Sequence, residues 1–131
     1  MQEKFNKQLS TATITKVLEG TIDIKALLKQ VFEISDEDVI TDETLARDIQ
    51  QYYLGEGSPE IHEIKLSALT YHAETQTGSM RLDFRIKRFY TCSAIQNSSR
   101  DYQNWTFHID ATNSTISFAG PLEEERWPDE I

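Results

Sequence analysis

Thr70–Tyr90, "TYHAETQTGSMRLDFRIKRFY", holds two alternating runs joined by a polar turn. Met80, Leu82, Phe84 and Ile86 share one parity after the turn, and Leu69, Tyr71 and Ala73 form the apolar set before it. Successive strand side chains point to opposite faces, so each set marks the covered face of a half-buried strand. Opposing Ala73 with Met80, Tyr71 with Leu82 and Leu69 with Phe84 joins the two sets. A slip of one residue would turn one of them to the wrong side. The reading is an antiparallel hairpin with "TQTG" as its turn and Gly78 supplying a left-handed conformation.

The same register sets the opposite face. Arg81 falls across from His72, Asp83 across from Thr70 and Arg85 across from Ala68, with Lys87 near Leu66. Both strands also break phase. Ile64, Leu66 and Ala68 alternate on one parity but Leu69, Tyr71 and Ala73 on the other, and Ile86 is followed by Lys87, Arg88 and Phe89. A β-bulge explains each break and bends the strand, so a strongly bent sheet is expected.

Working outward, further strands are expected at Tyr102–Asp110 and Thr115–Ala119, besides the hairpin strands Ile61–Ala73 and Met80–Ala94. "QNSSRD" and "DATNST" read as turn-rich connectors. Trp105, Phe107 and Ile109, with Ile116 and Phe118, extend the apolar face. The first part of the chain, about residues 1–55, reads as helical. "DIKALLKQVFEI" puts Ile24, Leu27, Leu28, Val31 and Phe32 near one helical side, with Asp23 placed to cap it. In "TDETLARDIQQYYLG", Leu45, Ile49, Tyr52 and Tyr53 recur at helical spacing between a Thr41 or Asp42 cap and Gly55. Ser35 begins a capping-box spacing that points to a short helical turn. At the N-terminus, Phe5, Leu9 and Ala12 fit a frayed helix, although "TATITKVLEG" has strand-like composition.

Together these elements predict an α+β fold. N-terminal helices pack on a bent four-stranded antiparallel sheet over about residues 61–120, closing towards a cone, and an acidic tail follows at 121–131. A bent sheet holding helices on its concave side resembles, in architecture alone, the nuclear-transport-factor-like and cystatin-like folds. No motif accompanies that resemblance, and architecture does not settle function.

The 131 residues match one domain, large enough to fold without a metal or disulfide. The single cysteine, Cys92, cannot form an internal disulfide, and the N-terminus has no apolar signal core. The expected setting is intracellular and cytoplasmic, with no membrane span. The net charge of -9 excludes broad wrapping of nucleic acid. Charge is segregated, however. Glu33–Glu43 carries six acids and no base, whereas Ser79–Arg100 carries five bases and one acid.

The chemistry-bearing residues are few. His72-x-Glu74 and His108-x-Asp110 each set an imidazole and a carboxylate on one strand face, but no third histidine completes a ligand set, so no metal or cofactor is expected. Cys92 lacks the tight turn that exposes a nucleophile, and no glycine-rich phosphate loop occurs. No catalytic residue is assigned. The remaining feature is the basic stripe of Arg81, Arg85, Lys87 and Arg88, with His72 and Asp83 on the same hairpin. Phe89 or Tyr90 would lie at its edge. Arginine forks suit carboxylates and phosphates, which reads as a site for an anionic ligand or an acidic peptide, and the tail acids Glu123, Glu124 and Glu125 are candidate internal partners.

The expectation is a small acidic protein-binding or regulatory domain without catalysis. Its surface would combine the basic hairpin with the acidic 33–43 segment or the tail, the latter two suiting a protein partner with a basic surface. The alternative is a small-molecule binder or enzyme whose cavity, between sheet and helices, is lined by Tyr71, Phe84, Trp105 and Phe107 with His108 pointing in. A homo-oligomer is the third reading.

Overall fold

The structure is a computed structural model that describes residues 2–53, 59–90 and 95–121. Strand β1 (Gln2–Gln8) leads into helices α1 (Thr11–Glu19) and α2 (Ile24–Phe32), followed by β2 (Val39–Ile40) and α3 (Glu43–Gln51). Four long or medium strands follow: β3 (Glu60–His72), β4 (Thr77–Tyr90), β5 (Ile95–Asp110) and β6 (Thr115–Gly120). They form one six-stranded sheet in the order β1-β6-β5-β4-β3-β2, with every neighbouring pair antiparallel. The expected α+β class is correct. The four-stranded, cone-shaped sheet is not, because β1 and β2 add a strand to each edge and the sheet neither curls nor closes.

The helices form where periodicity and caps agree. Asp23 accepts hydrogen bonds from the Lys25 and Ala26 amides, while Leu27, Leu28 and Phe32 turn inward. Asp42 accepts from the Leu45 amide at 3.0 Å, and Leu45 and Ile49 are buried. Such caps satisfy amides that have no partner within the helix and contribute about 1 kcal/mol each. The N-terminus corrects the sequence reading. "QEKFNKQ" is a strand, and the strand-like "TATITKVLE" is helical. Ser10 caps that helix at the Thr13 amide, Gly20 ends it at φ 73°, and Ile14 and Val17 are buried. Tertiary burial outweighs the weak helix propensity of threonine and valine here. Ser35 caps a turn, accepting from the Glu37 and Val39 amides, and that turn leads into β2.

The β3–β4 hairpin has a different register from the expected one. Leu69 faces Met80, Tyr71 faces Gly78 and His72 faces Thr77. The turn is Ala73–Gln76, and its left-handed residue is Gln76 at φ 55°. The β5–β6 turn repeats this geometry with Ser114 at φ 56°. In each turn the carbonyl of the left-handed residue accepts a further backbone hydrogen bond, Gln76 from the Ile109 amide of β5 and Ser114 from the Leu9 amide just after β1. Both bulges of the hairpin lie on β3, between His62 and Lys65 and between Leu66 and Ala68, while β4 keeps one register along β5 from Thr77 to Tyr90. The expected bulge near Arg88 is absent. "QNSSRD" belongs to β5 rather than to a connector.

Gly78 is a packing residue. A Cβ there would lie 2.3 Å from Phe107 Cζ and 2.5 Å from the Thr70 carbonyl oxygen. The Phe107 ring covers Gly78 and stacks near-parallel on Tyr71, with centroids 6.2 Å apart. Gly120 likewise leaves room for the Trp105 indole.

One sheet face carries the core. Met80, Leu82, Phe84 and Ile86 of β4, Trp105, Phe107 and Ile109 of β5, and Ile116 and Phe118 of β6 are buried with Leu27, Leu28 and Phe32 of α2 and Leu45 and Ile49 of α3. Each large side chain removed from water contributes about 1.5–3 kcal/mol. Along β4 and β5 the opposite face carries exposed or half-buried residues, among them Arg81, Asp83, Arg85, Lys87, Tyr102, Asn104 and Thr106.

Candidate functional site: the open face of the sheet

The open face is built row by row from the strand register. Lys65, Asp83 and Tyr102 occupy one row, His62, Arg85 and Arg100 the next, and Glu60, Lys87 and Ser98 the one beyond. Neighbouring positions in a row lie about 4.8 Å apart. Arg81 sits one row back, between Ala68 and Asn104. The bulge after His62 places Glu63, at φ 55°, within reach of two arginines. Five cations (Lys65, Arg81, Arg85, Lys87, Arg100) therefore share this end of the face with three acids (Glu60, Glu63, Asp83), an excess of two positive charges on a chain of net charge -9.

Arg81 is held in place on two sides. Its guanidinium carbon lies 3.9 Å from the centre of the Tyr102 ring, and its Nε donates to Asp83 Oδ1 at 2.9 Å. The tyrosine is 48% exposed, so its ring serves as a surface platform. Cation–π contacts at exposed sites contribute about 0.5–1 kcal/mol. Among the described residues, the terminal Arg81 nitrogens carry no hydrogen bond or ion pair. Desolvation would raise the Asp83 carboxyl, but hydrogen bonds from Ser67 and Arg81, with the charges of Arg81 and Arg100, hold it below the usual carboxylate range. It stays ionised and anchors Arg81 at neutral pH. Arg85 Nε lies 3.3 Å from Glu63 Oε2 without hydrogen-bond alignment, and Arg100 Nη2 approaches the same oxygen at 4.0 Å. A recess of about 350 Å³ lies among Arg81, Asp83, Phe84, Arg100, Asp101 and Tyr102, so two arginines and two aspartates border it. Exposed ion pairs such as these contribute about 0–1 kcal/mol, so an incoming carboxylate can exchange into them at little cost.

The structure thus brings Arg81, Asp83, Arg85 and Lys87 together on one face. Arg88 is separated from them. With no bulge in β4 it points to the opposite face, where its Nη1 donates to Ser99 Oγ at 2.8 Å. His72 lies at the far end of the open face, in a row with Thr77, His108 and Ser117. That row borders a wider recess of about 420 Å³ that also reaches Glu3 and Ser79. Asp110 is held low first by the Asn113 side chain and then by the Asn113 and Thr112 amides; its role is to shape the turn. Among the described residues no group of three His, Cys, Asp or Glu side chains is arranged for a metal. No helix among them is long and apolar enough to cross a membrane. The side chains of Phe89 and Tyr90, the residue Cys92, and the tail acids Glu123, Glu124 and Glu125 lie outside the described residues.

The residues expected around an internal cavity do not converge. Phe84, Trp105 and Phe107 are packed in the core at 2% exposure or less, Tyr71 is half-buried beside Phe107, and His108 is exposed on the opposite face. Polar groups do enter the core near one end of the helix side. Trp105 Nε1 donates to Gln103 Oε1 at 2.8 Å, and the Tyr53 hydroxyl donates to Asp101 Oδ2 at 2.5 Å. Burial, followed by the hydrogen bond to Asp101, pushes the Tyr53 phenol well above its ordinary value. It acts as a permanent donor.

Sequence reasoning missed Lys65, Glu63, Arg100 and Tyr102. Arg100 was hidden in "QNSSRD", read as a turn. Tyr102 could have been found from its parity, opposite to that of Trp105, Phe107 and Ile109. No protein-family model matches the chain, and neither does any curated protein or solved structure.

Proposed function

We propose that this chain is a non-catalytic protein-binding domain that takes an acidic segment of a partner on the open face of its sheet. The observation that carries the reading is the Arg81–Tyr102 stack, with Arg85, Lys87 and Arg100 beside it on an exposed surface. A guanidinium held by an aromatic ring and one carboxylate is oriented before binding, so little side-chain entropy is lost when a second carboxylate arrives. Segregated charge favours oriented encounter and rejects like-charged partners. The overall negative charge disfavours a long polyanion such as nucleic acid, whereas a short acidic segment needs only the basic rows, within a screening length of them.

Fluorescence anisotropy with a labelled octaglutamate peptide tests this. The peptide should bind at low salt and dissociate as salt rises, and octalysine carrying the same label should not bind at the open face. The double variant Arg81→Glu/Arg85→Glu should abolish octaglutamate binding. Equal binding by the variant, or none by the native chain at low salt, would refute the reading.

A further inference from the structure

The two edges of the sheet differ. The outer edge of β1 carries Glu3, Lys4 and Lys7 and is broken by a bulge between Glu3 and Phe5. Charges and bulges on an edge strand discourage pairing with another chain. On the other edge, β2 covers β3 only at Ile64 and Lys65, and the Leu66 amide donates to the Asp38 carbonyl. Beyond that point Ser67–His72 has no neighbouring strand on its outer side among the described residues. The stretch from Leu66 to Ala73, "LSALTYHA", holds no Lys, Arg, Asp, Glu or Pro.

This edge is self-complementary. In an antiparallel pair of identical strands related by a two-fold axis through Thr70, Leu69 of each copy falls opposite Tyr71 of the other, on the helix side of the sheet. Ala68 falls opposite His72 on the open side. Opposed aliphatic and aromatic residues are favourable cross-strand pairs. Leu69 and Tyr71 are only half-buried in the single chain, and the Tyr71 ring is already fixed by its stack on Phe107. The ladder ends where β2 begins, because Val39 already covers Lys65 and the Asp38 carbonyl takes the Leu66 amide. We infer that β3 pairs with β3 of a second copy along Ser67–His72, joining two six-stranded sheets into one continuous sheet.

A ladder this short buries less than a standard stable interface, so the dimer is weak and concentration-dependent. Each copy carries a net charge of -9. Salt screens that mutual repulsion and strengthens the dimer, the opposite of its effect on binding an acidic segment. The two proposals therefore fail separately.

Sedimentation velocity on the full chain, from about 5 to about 500 µM at low and high salt, reads the equilibrium. The native chain should pass from monomer to dimer, and more readily at high salt. Ala68→Lys, at an exposed edge position, should keep the chain monomeric. Thr70→Lys, which sets two like charges opposite each other on the axis at an exposed position, should weaken association at least tenfold, to about one tenth of the native association constant, whereas Thr70→Val should leave it intact. The Thr70 pair keeps the test decisive even if Ala68→Lys disturbs folding. A native chain that stays monomeric throughout, or a dimer indifferent to Ala68→Lys or Thr70→Lys in a folded variant, would overturn the inference.

Discussion

Gly78→Ala should destabilise the protein, although replacing a strand glycine by alanine ordinarily stabilises by about 0.5–1 kcal/mol through reduced chain entropy. The reason lies in two contacts. The new Cβ would meet Phe107 Cζ at 2.3 Å and the Thr70 carbonyl oxygen at 2.5 Å. The second atom belongs to the backbone of β3 and cannot swing aside. The Phe107 ring is held between Tyr71 and Phe118, at centroid distances of 6.2 Å on each side. Relief therefore requires the β3–β4 ladder to shift or the aromatic stack to open. Overpacking of this kind costs about 1–3 kcal/mol, a large fraction of a total stability of about 5–15 kcal/mol. For a chain of this size the expected fall in Tm is about 3–12 °C. Urea denaturation followed by fluorescence gives the free energy, and Phe107→Leu tests the cause. In the double variant the ring clash is gone, so Gly78→Ala should cost less than it does alone. A single variant as stable as the native chain would refute the packing argument and with it the register of the first hairpin, and strictly additive costs in the double would assign the strain to the Thr70 carbonyl and refute the role of the Phe107 ring.

Three further outcomes follow from the same geometry. Tyr53→Phe removes the hydroxyl that donates to Asp101 and should cost about 1–2 kcal/mol in denaturant unfolding, with the fold unchanged by circular dichroism. Gln103→Met leaves the buried Trp105 N–H without its acceptor and should cost about 1–3 kcal/mol, read by the same measurement. The Asp110 carboxyl is lower in the folded chain than its ordinary value, so its stabilising contribution is full above the unfolded value of about 3.9 and is lost as pH falls through the lower folded one. Asp110→Asn should therefore flatten the acid limb of a stability–pH curve below about pH 4; an unchanged limb would contradict the assignment.

Much of the fold was legible because burial writes a period into the chain. α2 and α3 showed both an apolar stripe and an aspartate cap, and the core faces of β4, β5 and β6 alternated as expected. What was hidden had little period to show. β2 is two residues long, and β1 carries one large apolar residue, Phe5, on a bulged edge. The distal part of β5 holds exposed Ser98, Ser99 and Arg100, so its composition resembled a turn. The hairpin register failed for a different reason. Gly78 was taken as the left-handed turn residue, whereas Gln76 adopts that conformation and Gly78 makes room for an aromatic ring. That four-residue error moved Arg81 from His72 to Ala68, and with it the composition of the candidate site. The basic stripe itself was legible as charge against an acidic background. Its aromatic platform was missed although Tyr102 lay in the expected third strand, because it meets Arg81 only diagonally across the β4–β5 ladder, whose register was not assigned.

In the proposed function the open face around Arg81 and Tyr102 receives an acidic segment. Amide chemical-shift mapping during titration with unlabelled octaglutamate tests it most directly. Shifts should concentrate at Lys65, Arg81–Lys87 and Arg100–Asn104, with the amides of α1 and α2 unmoved and the pattern lost in Arg81→Glu/Arg85→Glu. Shifts centred on the helices, or none on those strands at saturating peptide, would contradict it.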